Sequence, residues 1–202
     1  MNTKTAIYEA GLKLAEDFCK LNRIAMPTVR RLTAMDPEFH LRTCAYYRPT
    51  TIHIMVEKCA GKGFGGRAWS WPGYVIDRTP YGVIQHELGH HVDISVRRNQ
   101  FSRMVHAESG EPPLTGYLGT DNREETFYME WFAEHFRLYV TNPGLCFLLR
   151  PKFHRIMKRQ NIQPLLLGTW DERLRQLEAT DRILQMAGKK VDAVLQDVPA
   201  LL

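Results

Sequence analysis

The sequence predicts an α+β domain that is mostly helical, with a small sheet preceding a central helix. Two observations predict this class. Apolar residues recur at helical spacing in several long segments, whereas Tyr, Thr, Ile and Val concentrate in two short segments, 39–47 and 51–57. With 202 residues, 44% of them hydrophobic, the chain can bury one substantial core. We therefore expect one domain over residues 1–160 and a helical C-terminal extension over 161–202 that can pack on the same domain.

The first third of the chain predicts one helix and then a small sheet. Residues 4–21 carry apolar side chains at near-helical intervals, which indicates an amphipathic helix packed on the core. Segments 39–47 and 51–57 are separated by Arg-Pro-Thr, which favours a hairpin or strand pair. The glycine-rich stretch 61–66 lacks the spacing of a phosphate-binding loop and is predicted to be a loop, and 71–77 predicts a turn into a short strand.

A helix is predicted from about residue 80 to 98, because an apolar stripe recurs along this segment at helical spacing. Thr79 offers a hydroxyl at the N-cap position, and Pro80 stands at the first helical position, where its missing N–H does no harm. This segment also carries the polar residues on which the functional interpretation depends.

The second half of the chain predicts a loop and then further helices. Residues 108–122 contain several glycines and prolines and are predicted to be irregular. Residues 124–140 predict a second long helix, which ends before Asn142 and Pro143. Beyond residue 144 the pattern is again helical, and segment 169–195 repeats Leu and Ile at helical spacing.

Composition narrows the range of partners. The formal net charge is +5, and a basic cluster lies between residues 150 and 159. No aromatic stacking platform accompanies this cluster, so we favour a solvated helix face over a nucleic-acid site. No segment approaches the ~20 apolar residues of a membrane span, and no secretion signal is visible, so a cytoplasmic location is expected. The cluster comprises Arg150, Lys152, His154, Arg155, Lys158 and Arg159.

The four cysteines, Cys19, Cys44, Cys59 and Cys146, form no CxxC pair. This scatter disfavours a zinc ribbon or a thioredoxin-type site. We predict isolated thiols, as is usual in a reducing compartment, and two disulfides are the alternative.

An HExxH motif, His86-Glu87-Leu88-Gly89-His90, lies inside the predicted helix 80–98. Four residues turn a helix by about 400°, so both imidazoles project from nearly the same side and can share one tetrahedral ion. Glu87 lies beside that pair, where it can take a proton from a metal-bound water without binding the metal. Gly89 permits a close approach of another backbone. The motif therefore predicts a zinc site with Glu87 as the catalytic base.

Catalytic zinc needs a third protein ligand and one open position. The metzincin arrangement would place that ligand six residues after the second histidine, where Val96 stands, so it is excluded. The helix 124–140 offers two carboxylates within an apolar stripe, and a buried unpaired carboxylate costs several kcal/mol. Glu130 fits as the third ligand, and Glu134, one turn on, fits as the acceptor for a histidine N–H. The alternative is a helix whose glutamates face solvent.

Other polar residues near the motif are weaker candidates. Asp93 lies seven residues past His86 and returns to the ligand face, where it either orients a histidine or forms a surface salt bridge. Four other histidines, two of them next to motif residues, are interpreted as structural or solvated. They are His53, His91, His106 and His135.

The combination of HELGHHVD at 86–93 and EWFAEHFRLY at 130–139 resembles the gluzincin class of zincin metallopeptidases. Within that class it is similar to the family of the catalytic domain of anthrax lethal factor and to small phage-encoded proteins predicted to be metallopeptidases. The resemblance covers roughly residues 70–145. It implies a zincin-like fold, zinc ligation by Glu130 and support of the site by Glu134. It also implies an oxyanion-stabilising tyrosine before that helix, for which Tyr117 is the nearest match and Tyr128 the alternative.

The expected function is therefore zinc-dependent hydrolysis of peptide bonds, with the zinc ion held by His86, His90 and Glu130. The resemblance, and not the motif spacing, narrows the substrate to a peptide or protein. The alternative is a zinc-binding structural or interaction protein, such as a phage particle component, which would be carried in the virion. The C-terminal helices could mediate assembly in either case.

Overall fold

The computed structural model describes residues 3–39, 43–59, 77–96, 100–114 and 124–165. These residues are mostly helical and include one three-stranded sheet, so the α+β class with a small sheet before the motif helix is confirmed. The elements are α1 Thr3–Asn22, β1 Thr28–Arg31, β2 Ala45–Arg48, β3 Thr51–Ile54, α2 Pro80–His91, α3 Phe101–Ser109, α4 Glu124–Thr141, α5 Pro143–Leu149 and α6 Pro151–Arg159.

Several predictions concern residues outside the described ranges. These are the loop at 61–66, nearly all of the turn and strand at 71–77, and the helical segment 169–195. The predicted division into a domain over 1–160 and an extension over 161–202 also stays a prediction, because the described residues end at 165.

The sheet has the order β1-β3-β2, with β3 in the centre. The predicted strand pair is confirmed, since β2 and β3 run antiparallel. The sequence did not predict β1, which pairs in parallel with β3. The side chains of β1 are mostly exposed, so the strand carries little of the apolar alternation by which strands are recognised. Along β3, Ile52 and Ile54 are fully buried and anchor the sheet in the core.

Helix α2 is the centre of the fold, and all twelve of its residues are buried. Helix α1, predicted over 4–21, lies against it at Gly11, where an added Cβ atom would come within 2.6 Å of the Tyr81 Cα atom. The side chain of Gln85 crosses this contact, because its Nε2 atom donates to the Gly11 carbonyl at 2.8 Å. The N-terminal helix therefore holds α2 from one side.

The start of α2 agrees with the sequence only in part. Pro80 is the first helical residue, as predicted. Thr79 is the N-cap residue, as predicted, but its hydroxyl makes no capping hydrogen bond. Instead, the Thr79 backbone N–H donates to Asp77 Oδ1 at 2.8 Å, which holds the segment leading into the helix.

The end of α2 also differs from the prediction. The α-helix ends at His91, and one wider π-helical turn, Val92–Val96, follows it. Within that turn Asp93 is fully buried and accepts the Ser102 backbone N–H at 2.8 Å. That bond joins the turn to α3, a helix that the sequence did not predict.

Residues at the boundaries of the C-terminal helices explain where these helices begin and end. Helix α4 ends where the sequence predicts, and the Asn142 side chain accepts the Leu145 N–H at 3.0 Å to begin α5. Pro143 stands at the first position of α5. The loop predicted from residue 108 begins slightly later, after Ser109, where Gly110 adopts a left-handed conformation with φ 59°.

The cysteines are not all unpaired. Cys44, just before β2, forms a disulfide with Cys59, so the prediction of four isolated thiols is wrong for this pair. Cys19 and Cys146 are buried free thiols. The cysteine pattern therefore no longer argues for a reducing compartment.

None of the helices that the structure describes is long and apolar enough to cross a membrane.

Candidate metal centre

The candidate site lies where α2 packs against α4, and small residues allow a close approach there. A Cβ atom added to Gly89 would lie 2.9 Å from the Ala133 Cα atom, closer than side chains pack. Ala133 itself is fully buried. Because the two backbones approach so closely at this point, polar side chains one turn away on each helix can meet.

Three side chains meet there through atoms that commonly bind metals. The Nε2 atom of His86 lies 3.1 Å from Glu130 Oε2, and the Nε2 atom of His90 lies 3.4 Å from Glu130 Oε1. One ligand atom from each residue lies within 4.8 Å of the other two. The two imidazole rings stand nearly perpendicular, with centroids 4.9 Å apart. The structure therefore brings together the three predicted ligands, and Glu130 is the most exposed of them at 21%.

Glu134 binds the other side of the His86 ring. Its Oε1 atom lies 2.8 Å from His86 Nδ1, so both ring nitrogens of His86 face carboxylates. Burial works to lower the pKa of His86, but hydrogen bonds to Glu130 and Glu134 outweigh it and raise the pKa to about 10. Burial likewise works to raise the pKa of Glu130, but the charges and hydrogen bonds of His90 and His86 hold that pKa well below its usual range.

Glu87 is buried beside the ligand set, with 5% of its surface exposed. Burial raises the pKa of its carboxyl group, because an ionised carboxylate is poorly solvated there. The charges of His86 and His90 lower that pKa, and burial outweighs them. Glu87 is thus a buried carboxyl group within electrostatic reach of the ligand residues, with a higher proton affinity than an exposed glutamate has.

Two other predicted residues do not join this cluster, and a third lies outside the described residues. The hydrogen bond from Ser102 ties Asp93 to the start of α3, so Asp93 caps a helix and is not seen to orient a histidine. The ring of Tyr128 packs on His106 and beneath the Arg103 guanidinium, with centroid distances of 5.0 and 5.2 Å. Tyr128 therefore faces α3. Tyr117 lies outside the described residues.

Sequence reasoning missed Arg137. Arg137 is 5% exposed, and its Nη2 atom forms an ion pair with Glu134 Oε1. Burial works to raise the pKa of Glu134, but the charge of Arg137, followed by the hydrogen bond with His86, lowers it. The spacing of three residues between a glutamate and an arginine within an apolar helix was the available signal.

Two histidines next to the motif residues, interpreted from the sequence as structural or solvated, have structural contacts. His91 is buried and lies between the Tyr47 hydroxyl, at 3.0 Å, and the Ala25 carbonyl, at 2.8 Å. His135 is fully buried, donates through Nδ1 to the Trp131 carbonyl and accepts through Nε2 from Arg150. Neither ring contributes an atom to the metal-type cluster.

Comparisons with protein-family models, with curated protein sequences and with solved structures find no match to this chain. The candidate function therefore depends on the motif, on the resemblance that it carries and on the geometry described above.

Proposed function

We propose that the protein is a zinc-dependent metallopeptidase with a zincin-like fold, which hydrolyses peptide bonds in a peptide or protein substrate. The observation that carries the proposal is the convergence of His86, His90 and Glu130, whose ligand atoms lie within 4.8 Å of one another. Two imidazoles and one carboxylate are the ligand types of known catalytic zinc sites.

The charges of the cluster fit a divalent cation. Among the described residues, Glu87, Glu130 and Glu134 contribute three carboxylates, whereas Arg137 contributes one guanidinium. When ionised, the carboxylates leave an excess of two negative charges in a largely buried place, and such an excess is costly unless a cation offsets it. The raised pKa of His86 has the same origin, because a proton on this ring offsets part of that excess. The donor set and its charge thus both suit Zn²⁺.

The metal ion and the side chains would contribute different parts of the hydrolysis. A bound zinc ion would supply a Lewis acid and lower the pKa of a coordinated water towards ~7. Glu87 accepts the proton of the attacking water and passes it to the leaving amine, because its buried carboxyl group is a better base than an exposed one. Glu134 keeps the His86 ring oriented by binding its Nδ1 atom, so that Nε2 faces the ligand cluster.

The test combines metal analysis with cleavage of a diverse peptide library. Wild-type protein should purify with about one zinc per chain, and His86→Ala and His90→Ala should abolish zinc binding. Glu87→Gln should keep the zinc but lose cleavage, since it removes the base and preserves the shape of the side chain. His91→Gln, at a buried histidine of the same helix, is the matched control and should keep its zinc.

Two results would contradict the proposal. If both His86→Ala and His90→Ala retained full zinc, the metal site would lie elsewhere. If zinc-loaded wild-type protein cleaved nothing, the alternative of a zinc-stabilised structural or interaction protein would be supported.

A further inference from the structure

The guanidinium of Arg137 connects the candidate metal centre to the segment that leads into α2. On one side its Nη2 atom contacts Glu134 Oε1, the same oxygen that lies 2.8 Å from His86 Nδ1. On the other side its Nη1 atom donates to the Asp77 carbonyl at 3.4 Å. Arg137 therefore spans from α4 to the residues just before the helix that carries His86.

The Asp77 end of this connection is firmly held. A Cβ atom added to Gly82, in the first turn of α2, would lie 2.1 Å from the Asp77 carbonyl oxygen, so backbone packs directly on backbone. Asp77 Oδ1 also accepts the Thr79 N–H at 2.8 Å. The carbonyl that receives Arg137 is thus held in place by α2 itself.

We propose that Arg137 is a positioning residue of the metal centre, which holds the Glu134 carboxylate in the orientation that binds His86 Nδ1. The inference rests on the proposed function, because it takes His86 to be a metal ligand. Helix geometry contributes to the arrangement, since residues three apart on α4 share a face and Arg137 can therefore reach Glu134. The carboxylate would otherwise be free to rotate about its side-chain bonds and lose the His86 contact.

An arginine suits this position better than a lysine. Its planar fork presents separate N–H groups to the carboxylate and to the carbonyl at the same time, and it remains charged when buried. A lysine has one nitrogen on a flexible chain and cannot keep the same two directions. Arg137→Lys should therefore keep the charge but only part of the positioning.

The experiment measures zinc affinity by competition with a chromogenic chelator at constant pH. Arg137→Met should weaken zinc binding by roughly 10- to 100-fold, the range typical of lost supporting contacts, and Arg137→Lys should fall between this variant and wild type. Arg150→Met is the matched control, because Arg150 is also a buried arginine but bonds His135 and the Pro113 carbonyl. It should lower the melting temperature and leave the zinc affinity unchanged.

A double-mutant cycle separates positioning from general destabilisation. In a Glu134→Gln background, Arg137→Met should cause little further loss of zinc affinity, because the carboxylate through which Arg137 acts is gone. In the zinc-loaded protein, the NMR resonance of the His86 Nδ1 proton should shift in Arg137→Met and stay in place in Arg150→Met. If Arg137→Met does not fold, the same cycle with Arg137→Lys distinguishes positioning from general destabilisation.

The outcomes distinguish this inference from the proposed function. Two results would overturn the positioning role alone. One is a wild-type zinc affinity in Arg137→Met, and the other is an equal loss of zinc affinity on adding Arg137→Met to the wild-type and the Glu134→Gln proteins. A wild-type protein that binds no zinc would overturn the metallopeptidase proposal and this inference together.

Discussion

Replacing Gly89 by alanine tests whether the close packing of α2 on α4 sets the metal centre. The new Cβ atom would lie 2.9 Å from the Ala133 Cα atom, and reaching the 3.4 Å of ordinary contact requires the helices to separate by about 0.5 Å. That shift equals the positional tolerance of a binding site, ~0.5 Å, and His90 is the adjacent residue. Overpacking costs about 1–3 kcal/mol, and the higher helix propensity of alanine offsets up to about 1 kcal/mol of this.

We therefore expect Gly89→Ala to lower the free energy of unfolding slightly and to weaken zinc binding by roughly tenfold. Thermal melting and a zinc titration would measure the two effects. Gly144→Ala is the matched control, since Gly144 lies in α5 and its added Cβ would meet nothing closer than 3.9 Å. That variant should be unchanged or slightly more stable. A Gly89→Ala protein with wild-type stability and zinc affinity would refute the reasoning.

Three further predictions concern zinc retention, pH and redox state. Glu130→Ala should lose zinc almost wholly, whereas Glu134→Ala should lose roughly 10- to 100-fold in affinity, and the opposite ranking by equilibrium dialysis would exchange their roles. Burial lowers the pKa of His135 to about 3, so the unfolded chain binds a proton that the folded protein does not between pH ~6.5 and about 3. The free energy of unfolding should therefore decrease as the pH is lowered across that window, by up to ~1.4 kcal/mol per pH unit. This slope should be smaller in His135→Gln, as chemical denaturation at several pH values would reveal. Reducing the Cys44–Cys59 disulfide, which closes a loop with a sequence separation of 15, should cost about 3 kcal/mol, and an unchanged melting temperature in Cys44→Ser would contradict this.

The best sequence predictions came from residues whose effect is local. Proline at the start of α2 and the Asn-Pro pair after α4 act within one helical turn, and both boundaries are confirmed. Two wrong or missing predictions involve partners distant in the chain. Strand β1 exists because β3 offers it an edge. Cys44 and Cys59 pair across the strands between them, a contact that spacing alone left open.

The sequence by itself determined the two motifs and their register on two helices. Because an α-helix repeats every 3.6 residues, it places His86 and His90 on one face, and Glu130 and Glu134 on another, wherever those helices lie. Only the tertiary structure decided that the two faces meet, that Glu134 turns to His86 Nδ1, and that Arg137 joins this pair to the Asp77 carbonyl. The reason is physical: the meeting depends on the backbone separation at Gly89 and Ala133, which packing sets and helical periodicity does not.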